Sequence, residues 1–282
     1  MKKLLLLFVL FSGLAKAQLL YQITGNGLTE PSFLYGTIHI LPKENFKLSH
    51  SLKRAFEASS TLAMEVDLNM SASEKIALAQ RVLLPDGKTL KDFMSAQDYT
   101  QLKMYCMDSL QWNESKFERS SKLKPMFFSS ILIQESMSKM ASYEMEFNKM
   151  AKKKHKQTIG LETIDFQLSL FDQLPMETQV GMLKKDYNSD MKNFDTLLSC
   201  YLNEDLEELG KLMSVETADY PEFNELLLVN RNKSWIEPMR IQMKKESTFF
   251  AVGAGHLSGQ DGVINLLRNE GFTVTAIKQE QD

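Results

Sequence analysis

Residues 249–274, FFAVGAGHLSGQDGVINLLRNEGFTV, contain the pattern that decides the fold. The elements predicted from it are, in order, a strand (Phe249–Val252), a loop (Gly253–Gly259), a helix (Asp261–Glu270) and a second strand, Thr273–Ile277, which continues past its end. Gly271 stands directly after the helix, where a C-cap favours a residue that tolerates positive φ. A strand, a crossover helix and a further strand are the repeating unit of parallel α/β sheets.

The same alternation of strands and helices recurs nearer the amino terminus. Strands are predicted at Gln18–Thr24, Ser32–Tyr35, Thr61–Leu68 and Thr158–Glu162, with a helix over Leu48–Ser59. Between them, residues 70–156 have almost entirely helical spacing, starting at a capping box, Ser71-x-x-Glu74. The predicted fold is therefore α/β: a mainly parallel central sheet covered by helices, with a mostly helical insertion in the middle of the chain.

Within this plan, apolar residues recur three and four apart over Pro125–Lys154, and a helix is expected over Met176–Leu202. The first stretch contains a stripe of methionines, which such spacing usually buries as core filler: Met137, Met140, Met145 and Met150. A flexible binding groove is the alternative interpretation, because the chain has 17 Met in all.

Composition excludes two broad classes. With 43% hydrophobic residues in 282, the chain has enough apolar material to exclude disorder. Lys and Arg total 33 against 36 Asp and Glu, and no basic run exceeds Lys152–Lys154. Phosphate neutralisation needs clustered cations, so no nucleic-acid partner is expected.

The first seventeen residues, MKKLLLLFVLFSGLAKA, have the pattern of a signal peptide. Two lysines precede an apolar run over Leu4–Leu14, and Ala15-Lys16-Ala17 forms an A-x-A cleavage site. A membrane anchor is the alternative, but a run of about eleven residues is too short to cross ~30 Å of hydrocarbon. We expect cleavage before Gln18, export to the periplasm or the extracellular space, and no stable membrane insertion afterwards.

An exported chain could form a disulfide between its two cysteines, Cys106 and Cys200. Both lie in segments with helical spacing, KMYCMDSL and TLLSCYL, where a cysteine usually serves as a small apolar core residue. We therefore predict that they are unbridged.

Two of the four histidines follow predicted strands in the same manner. Phe33-Leu34-Tyr35 leads into Gly36-Thr37-Ile38-His39, and Phe250-Ala251-Val252 leads into Gly253-Ala254-Gly255-His256. The glycine permits a sharp exit from the strand, and the histidine can turn back over the strand end. Since sites of α/β sheets collect at the carboxyl ends of strands, the repeated G-x-x-H motif predicts one shared site. His50 at a helix start and His155 in KKKHK lack this context.

Glutamates also fall near strand ends. Glu65 in TLAMEVDL either belongs to a solvated strand face or, in a covered parallel sheet, needs a partner. Glu162 ends IGLE and could equally begin the following helix. Arg231 and Asn232 precede Trp235 at helical spacing, so at least one of the pair points inward, and a buried arginine needs a carboxylate.

The sequence resembles the TraB/GumN family, related to the Tiki proteases and more distantly to erythromycin esterase and ChaN-type proteins. The resemblance lies in FLYGTIHILP (33–42), LAMEVDL (62–68), IGLETIDFQLSLFDQLP (159–175), LLLVNRN (226–232) and residues 249–274. It implies one α/β domain over 18–282, with 70–156 as a helical subdomain that matches only loosely.

The resemblance further implies that both G-x-x-H histidines and a strand-end glutamate share a pocket used for divalent-metal-dependent peptide hydrolysis. Carried over to this chain, the metal ligands are His39, His256 and Glu65, and the catalytic residues are Glu65, Glu162, Arg231 and Asn232. Imidazoles and carboxylates suit Zn, Mn or Co, which acidify bound water. The chain contains no H-E-x-x-H motif.

Two alternatives stay open beside an exported metal-dependent hydrolase of peptide-like substrates. One is a metal-independent, esterase-like hydrolase of small molecules, with His39 or His256 as general base. The other is a non-catalytic protein that sequesters a peptide, a pheromone or haem in the same pocket.

Overall fold

The computed structural model describes residues 18–280 apart from 136, 138, 190–191 and 217–220. The predicted signal peptide, residues 1–17, lies outside the described residues. The strands are β1 (Leu20–Gly25), β2 (Ser32–Thr37), β3 (Leu41–Pro42), β4 (Thr61–Met64), β5 (Met140–Ala141), β6 (Gln157–Gly160), β7 (Thr248–Gly253) and β8 (Phe272–Ala276).

Helices account for most of the remaining described chain. They are α1 (His50–Ala58), α2 (Ala72–Arg81), α3 (Ala96–Met104), α4 (Glu114–Ser120), α5 (Pro125–Glu135), α6 (Tyr143–Lys153), α7 (Ile164–Gln173), α8 (Met176–Asn188), α9 (Lys192–Leu202), α10 (Leu206–Glu216), α11 (Pro221–Asn224), α12 (Asn230–Lys245) and α13 (Val263–Asn269). Short 3-10 turns cover Lys43–Asn45, Pro85–Gly87, Leu90–Asp92 and Ala254–His256, and π-helical turns cover Tyr105–Ser109 and Glu225–Val229.

The central sheet has the strand order β6-β4-β7-β2-β1-β8. The pairs β6–β4, β4–β7 and β7–β2 are parallel, whereas β1 runs antiparallel to both β2 and β8. Residues of β2 and β4 are all buried, as expected for strands covered on both faces. The predicted α/β class with a mainly parallel, helix-covered sheet is thus confirmed.

Two stretches with predicted helical character are divided in the structure. The chain over Pro125–Lys154 leaves α5 at Glu135, pairs as β5 with β3, and begins α6 after the N-cap Ser142. Met140 lies in β5 and Met145 in α6, and both are exposed instead of filling the core as the methionine stripe predicted. Likewise, α8 ends at Asn188 and α9 begins at Lys192.

Apolar side chains form two clusters. The larger lines the sheet and includes Phe147 of α6, whereas the smaller joins the helices of the insertion and includes Leu183 of α8. The larger cluster thus includes α6 from within 70–156, and the smaller cluster includes α8 from outside that range.

Both cysteines are free thiols, as the helical spacing predicted. Cys106 is fully buried in the smaller cluster, and Cys200 is half-buried. Among the residues that the structure describes, no helix is long and apolar enough to cross a lipid bilayer.

Candidate active site

The two G-x-x-H motifs lie side by side at the carboxyl ends of adjacent strands. The parallel register of β2 and β7 pairs Gly36 with Val252 and Thr37 with Gly253. A Cβ on Gly36 would approach Leu257 Cδ1 to 2.6 Å and Ala254 to 3.2 Å, so any side chain at this position would push the second motif away. The absence of a side chain therefore lets the two motifs pack together.

Three predicted site residues converge above Gly253. A Cβ on Gly253 would lie 3.2 Å from Glu65 Oε1, 3.5 Å from His256 Cδ2 and 3.9 Å from His39 Nε2. The backbone N–H of Gly253 donates to Glu65 Oε1 over 2.8 Å. Residues that follow β2, β4 and β7 therefore surround one small space.

Glu65 and Glu162 are neighbours, since β4 and β6 are parallel and both glutamates lie just beyond their strand ends. The Glu162 N–H donates to the Glu65 carbonyl over 2.9 Å. Strand β4 ends at Met64, so Glu65 lies at the sheet edge and not within the longer strand expected over Thr61–Leu68. Both carboxylates are nearly inaccessible and need a positive partner.

Arg231 is that partner for both carboxylates. Its Nη2 lies 2.5 Å from Glu65 Oε2 and 2.8 Å from Glu162 Oε1, and its Nε donates to Glu162 over 3.1 Å. Its Nη1 donates to the Leu227 carbonyl over 2.8 Å and lies 3.1 Å from His256 Nε2. A guanidinium has five N–H donors, and each faces a protein acceptor here. Arg231 therefore orients the two carboxylates and has no free donor for a substrate.

Trp235, one helical turn after Arg231, packs against this cluster of charged residues. Its indole N–H donates to Glu162 Oε2 over 2.9 Å. Its ring lies 4.8 Å from the Arg231 guanidinium carbon and 4.5 Å from the His256 ring. The indole thus packs on the guanidinium and adds a donor to Glu162 Oε2, which also accepts from Arg231 Nε over 3.2 Å.

His256 is held at both ring nitrogens. Nδ1 lies 2.6 Å from Asn232 Oδ1, and the Asn232 amide group donates to the Asp261 carbonyl over 2.8 Å. The amide oxygen can only accept, so Nδ1 carries the proton and Nε2 accepts from Arg231. Burial, aided by repulsion from Arg231 and His39, lowers the pKa of His256 to about 3 against the attraction of Glu65, so the ring is neutral.

His39 is held by the described residues through Nδ1. Nδ1 lies 2.9 Å from Glu144 Oε1, and 66% of the side chain is exposed. Thr37 and Ser142 hydroxyls also donate to Glu144, over 2.6 and 2.9 Å. Desolvation lowers the pKa of His39, but the hydrogen bond and charge of Glu144 outweigh it and raise the pKa to about 9.

The Glu65 carboxylate is ionised. Burial alone would raise its pKa, but the positive charges of His39 and Arg231, together with the Gly253 N–H, lower the pKa to about 2. Gln167 of α7 adds a donor, 3.0 Å from Glu65 Oε2. Oε2 thus accepts from two side chains, whereas Oε1 accepts from the Gly253 N–H and faces the space above that residue.

Sequence reasoning missed two residues of the site, Glu144 and Gln167. Glu144 lies in the first turn of α6, where an acidic residue usually just favours the helix dipole. Gln167 lies within the stretch 159–175 that carries the family resemblance, but nothing in its spacing distinguishes it. Only the tertiary structure shows that Glu144 contacts His39 and that Gln167 contacts Glu65.

The donor types fit a divalent ion in part. His39 Nε2 has no hydrogen bond recorded in the described part of the chain, and its Nδ1–H bonds a carboxylate, as in many metal-binding histidines. Glu65 Oε1 faces the same space. Within the described residues, however, no three His, Cys, Asp or Glu side chains are arranged closely enough to hold an ion. The ligand roles of His39, His256 and Glu65, and the catalytic roles of Glu65, Glu162, Arg231 and Asn232, stay predictions.

An open cavity of about 870 Å³ adjoins the second motif. Asn232 and Gly255 form part of its wall, together with apolar residues of α10 such as Leu206 and Met213. It lies beside the loop that carries His256, and neither His39 nor Glu65 lines it.

The fold and site define a class of α/β protein in which paired G-x-x-H loops and strand-end glutamates meet at one sheet edge. The chain belongs to the TraB/PrgY/gumN family, whose model matches residues 19–276.

Named relatives come from several animals. Metalloprotease TIKI1 of Danio rerio is 24% identical over 86% of this chain and 60% of its own length. Metalloprotease TIKI2 of Danio rerio is 23% identical over 86% and 58%, and a metalloprotease TIKI homolog of Nematostella vectensis is 22% identical over 90% and 66%. The chain thus spans about three fifths of the length of the first two relatives. No solved structure matches it.

Proposed function

We propose that this protein is an exported, divalent-metal-dependent hydrolase that acts on peptide-like substrates. The observation that carries the proposal is the convergence of His39, Glu65 and His256 above Gly253, where a missing side chain leaves room between them. The names of the TIKI relatives support a metalloprotease-like function and a metal cofactor.

His39 Nε2 and Glu65 Oε1 are the groups that would hold the ion, with Mn, Co or Zn suited to these donors. When bound, such an ion polarises a carbonyl and acidifies water. Glu144 fixes the ring of His39 so that Nε2 faces the site, and Arg231 keeps Glu65 ionised and in place. Glu162 shares Arg231 with Glu65 and fixes the direction of the guanidinium plane.

The exposure of the site supports a chain-like substrate. His39 lies at the surface, with 66% of its side chain exposed. A site whose histidine is open to solvent suits a peptide segment better than an enclosed small molecule.

Metal analysis and turnover together test the proposal. Protein purified without chelators should contain close to one equivalent of a transition metal by mass spectrometry, and it should cleave members of a peptide library. A chelator should abolish cleavage, and Mn²⁺, Co²⁺ or Zn²⁺ should restore it. His39→Ala should lose both metal and cleavage, whereas His155→Asn should lose neither, because His155 is exposed with φ 53, which asparagine tolerates.

A second function is favoured by the His39–Glu144 pair, since a carboxylate-bound histidine also suits a general base without metal. In that case, cleavage should survive the chelator and rise with pH towards about 9, because the pKa of His39 is raised to about 9. Retention of a peptide or haem without turnover would instead support a sequestering protein.

Export is tested separately. Because an A-x-A site precedes Gln18, material from the native compartment should have the mass of a chain that begins at Gln18. A mass that includes residues 1–17 would contradict export with cleavage.

A further inference from the structure

The two G-x-x-H motifs match in sequence but not in hydrogen bonding. His39 bonds the protein through Nδ1 and directs Nε2 to the space above Gly253. His256 bonds the protein through both nitrogens, Nδ1 to Asn232 and Nε2 to Arg231. A histidine can ligate a metal only through a nitrogen lone pair, and the lone pair of His256 already accepts a hydrogen bond.

We infer that His256 is a positioning residue and not a metal ligand: it holds Arg231, and through Arg231 it holds Glu65. The inference rests on the proposed function for the identity of the site, and it reduces the protein ligands to His39 and Glu65. The first G-x-x-H motif then supplies a metal ligand, His39, and the second supplies the residue that positions Arg231, His256.

The surroundings of Arg231 support this assignment. The guanidinium contacts Glu65, Glu162, the Leu227 carbonyl and His256, and its side chain is only 7% exposed. If His256 Nε2 took a metal instead, one N–H of Arg231 would lose its acceptor in a buried position. The cation would also stand next to the guanidinium, where like charges repel.

The other tautomer of His256 does not remove this conflict. It would require Asn232 to turn its amide group and present Nδ2 to the ring. Asn232 Nδ2 donates to the Asp261 carbonyl instead, so the amide oxygen stays directed at His256 Nδ1. The neutral ring therefore has one fixed tautomer, with the proton on Nδ1 and the acceptor nitrogen facing Arg231.

A conservative and a truncating variant separate a positioning role from ligation. In His256→Gln the amide oxygen can still accept from Arg231, but a carboxamide is a poor ligand for these metals. We expect Zn²⁺ or Mn²⁺ affinity, measured by calorimetry, to stay within about threefold in His256→Gln and to fall about 10–100-fold in His256→Ala. His39→Gln is the matched control and should lose measurable binding. Loss of binding in His256→Gln equal to that in His39→Gln would overturn the inference.

Nitrogen-15 spectra of the imidazole rings give a readout independent of activity. In the metal-free protein, His256 should show the neutral tautomer protonated at Nδ1. On addition of Zn²⁺, the Nε2 signal of His39 should move, and that of His256 should stay. A zinc-dependent shift at His256 Nε2 contradicts the inference.

If the wild-type protein binds no metal, the proposed function fails. The positioning role of His256 is then tested in the metal-free protein by hydrogen exchange of the Arg231 side chain. Arg231 side-chain N–H signals should then exchange slowly in the wild type and in His256→Gln, and rapidly in His256→Ala. Equal exchange in all three proteins would overturn the inference.

Discussion

His39 Nδ1 lies 2.9 Å from Glu144 Oε1, although 105 residues separate the two in the chain. The carboxylate is ionised, because donation from His39 and Thr37 outweighs its burial and lowers its pKa. An ionised carboxylate accepts only, so the ring donates from Nδ1. Helix α6, which belongs to the segment between β4 and β6, thereby sets the orientation of a histidine at the end of β2.

This contact predicts an alkaline titration of His39. In the metal-free protein, the pKa of His39 should be about 9, and Glu144→Gln should lower it towards its ordinary value of 6.5. The contribution of this pair to stability is fully present at about pH 6.5 and is lost as the pH rises through about 9. It is also lost in acid, once Glu144 takes up a proton. Histidine NMR titration provides the measurement. A His39 that titrates near 6.5 in the wild type rules out this account.

Glu65→Gln should destabilise the protein strongly. The substitution leaves Arg231 buried with one carboxylate in place of two, and breaking a buried ion pair costs about 3–5 kcal/mol. The midpoint of urea unfolding measures the effect. Glu57→Gln removes an exposed partner of Lys154 and is the control, with little change expected. Similar urea midpoints for Glu65→Gln and Glu57→Gln would contradict a strong contribution of the buried Glu65–Arg231 ion pair to stability.

The two motif glycines should respond differently to alanine. Gly36→Ala places a Cβ 2.6 Å from Leu257 Cδ1, so overpacking should cost about 1–3 kcal/mol of stability. Gly253 has φ −53, which any residue adopts, and its closest contact would be Glu65 Oε1 at 3.2 Å. Gly253→Ala should therefore fold but fill the space above the sheet edge. Calorimetry should show weaker Zn²⁺ binding, and unchanged affinity would show that this space is not the metal site.

The two thiols should differ in reactivity. Burial raises the pKa of Cys106 to about 12, and its side chain is inaccessible. Cys200 is half-buried, and burial together with nearby acidic residues also raises its pKa. In the native protein, a thiol reagent should modify Cys200 slowly and Cys106 only on unfolding. Native mapping that finds Cys106 labelled first, or a Cys106–Cys200 cross-link, contradicts the structure.

Elements with strong local signals were predictable from the sequence. The capping box of Ser71 and Glu74 is formed at the start of α2, and Gly271 follows α13 with φ 86. The pairing of β2 with β7 also places the two G-x-x-H motifs side by side. Each of these depends on short-range backbone preferences or on the shared direction of parallel strands.

Features that depend on tertiary packing could not be predicted. The helix break before α6 leaves the apolar spacing almost unchanged, and Glu144 has no sequence neighbour that reveals its contact with His39. Periodicity likewise places Arg231 inward, but it does not reveal the number of acceptors around the guanidinium. The number of acceptors decides whether the guanidinium has a free N–H for a substrate or donates only to protein groups.

The strand order β4-β7-β2 also has a consequence for timing during synthesis. A growing chain makes β2 and β4 early, yet the strand that lies between them, Thr248–Gly253, comes 216 residues after Ser32. Until β7 inserts, Glu65 lacks the Gly253 N–H, and Arg231 lacks His256. Non-local pairings of this kind form slowly. A growing chain therefore completes the contacts around Glu65 and Arg231 only after residue 256 has been synthesised.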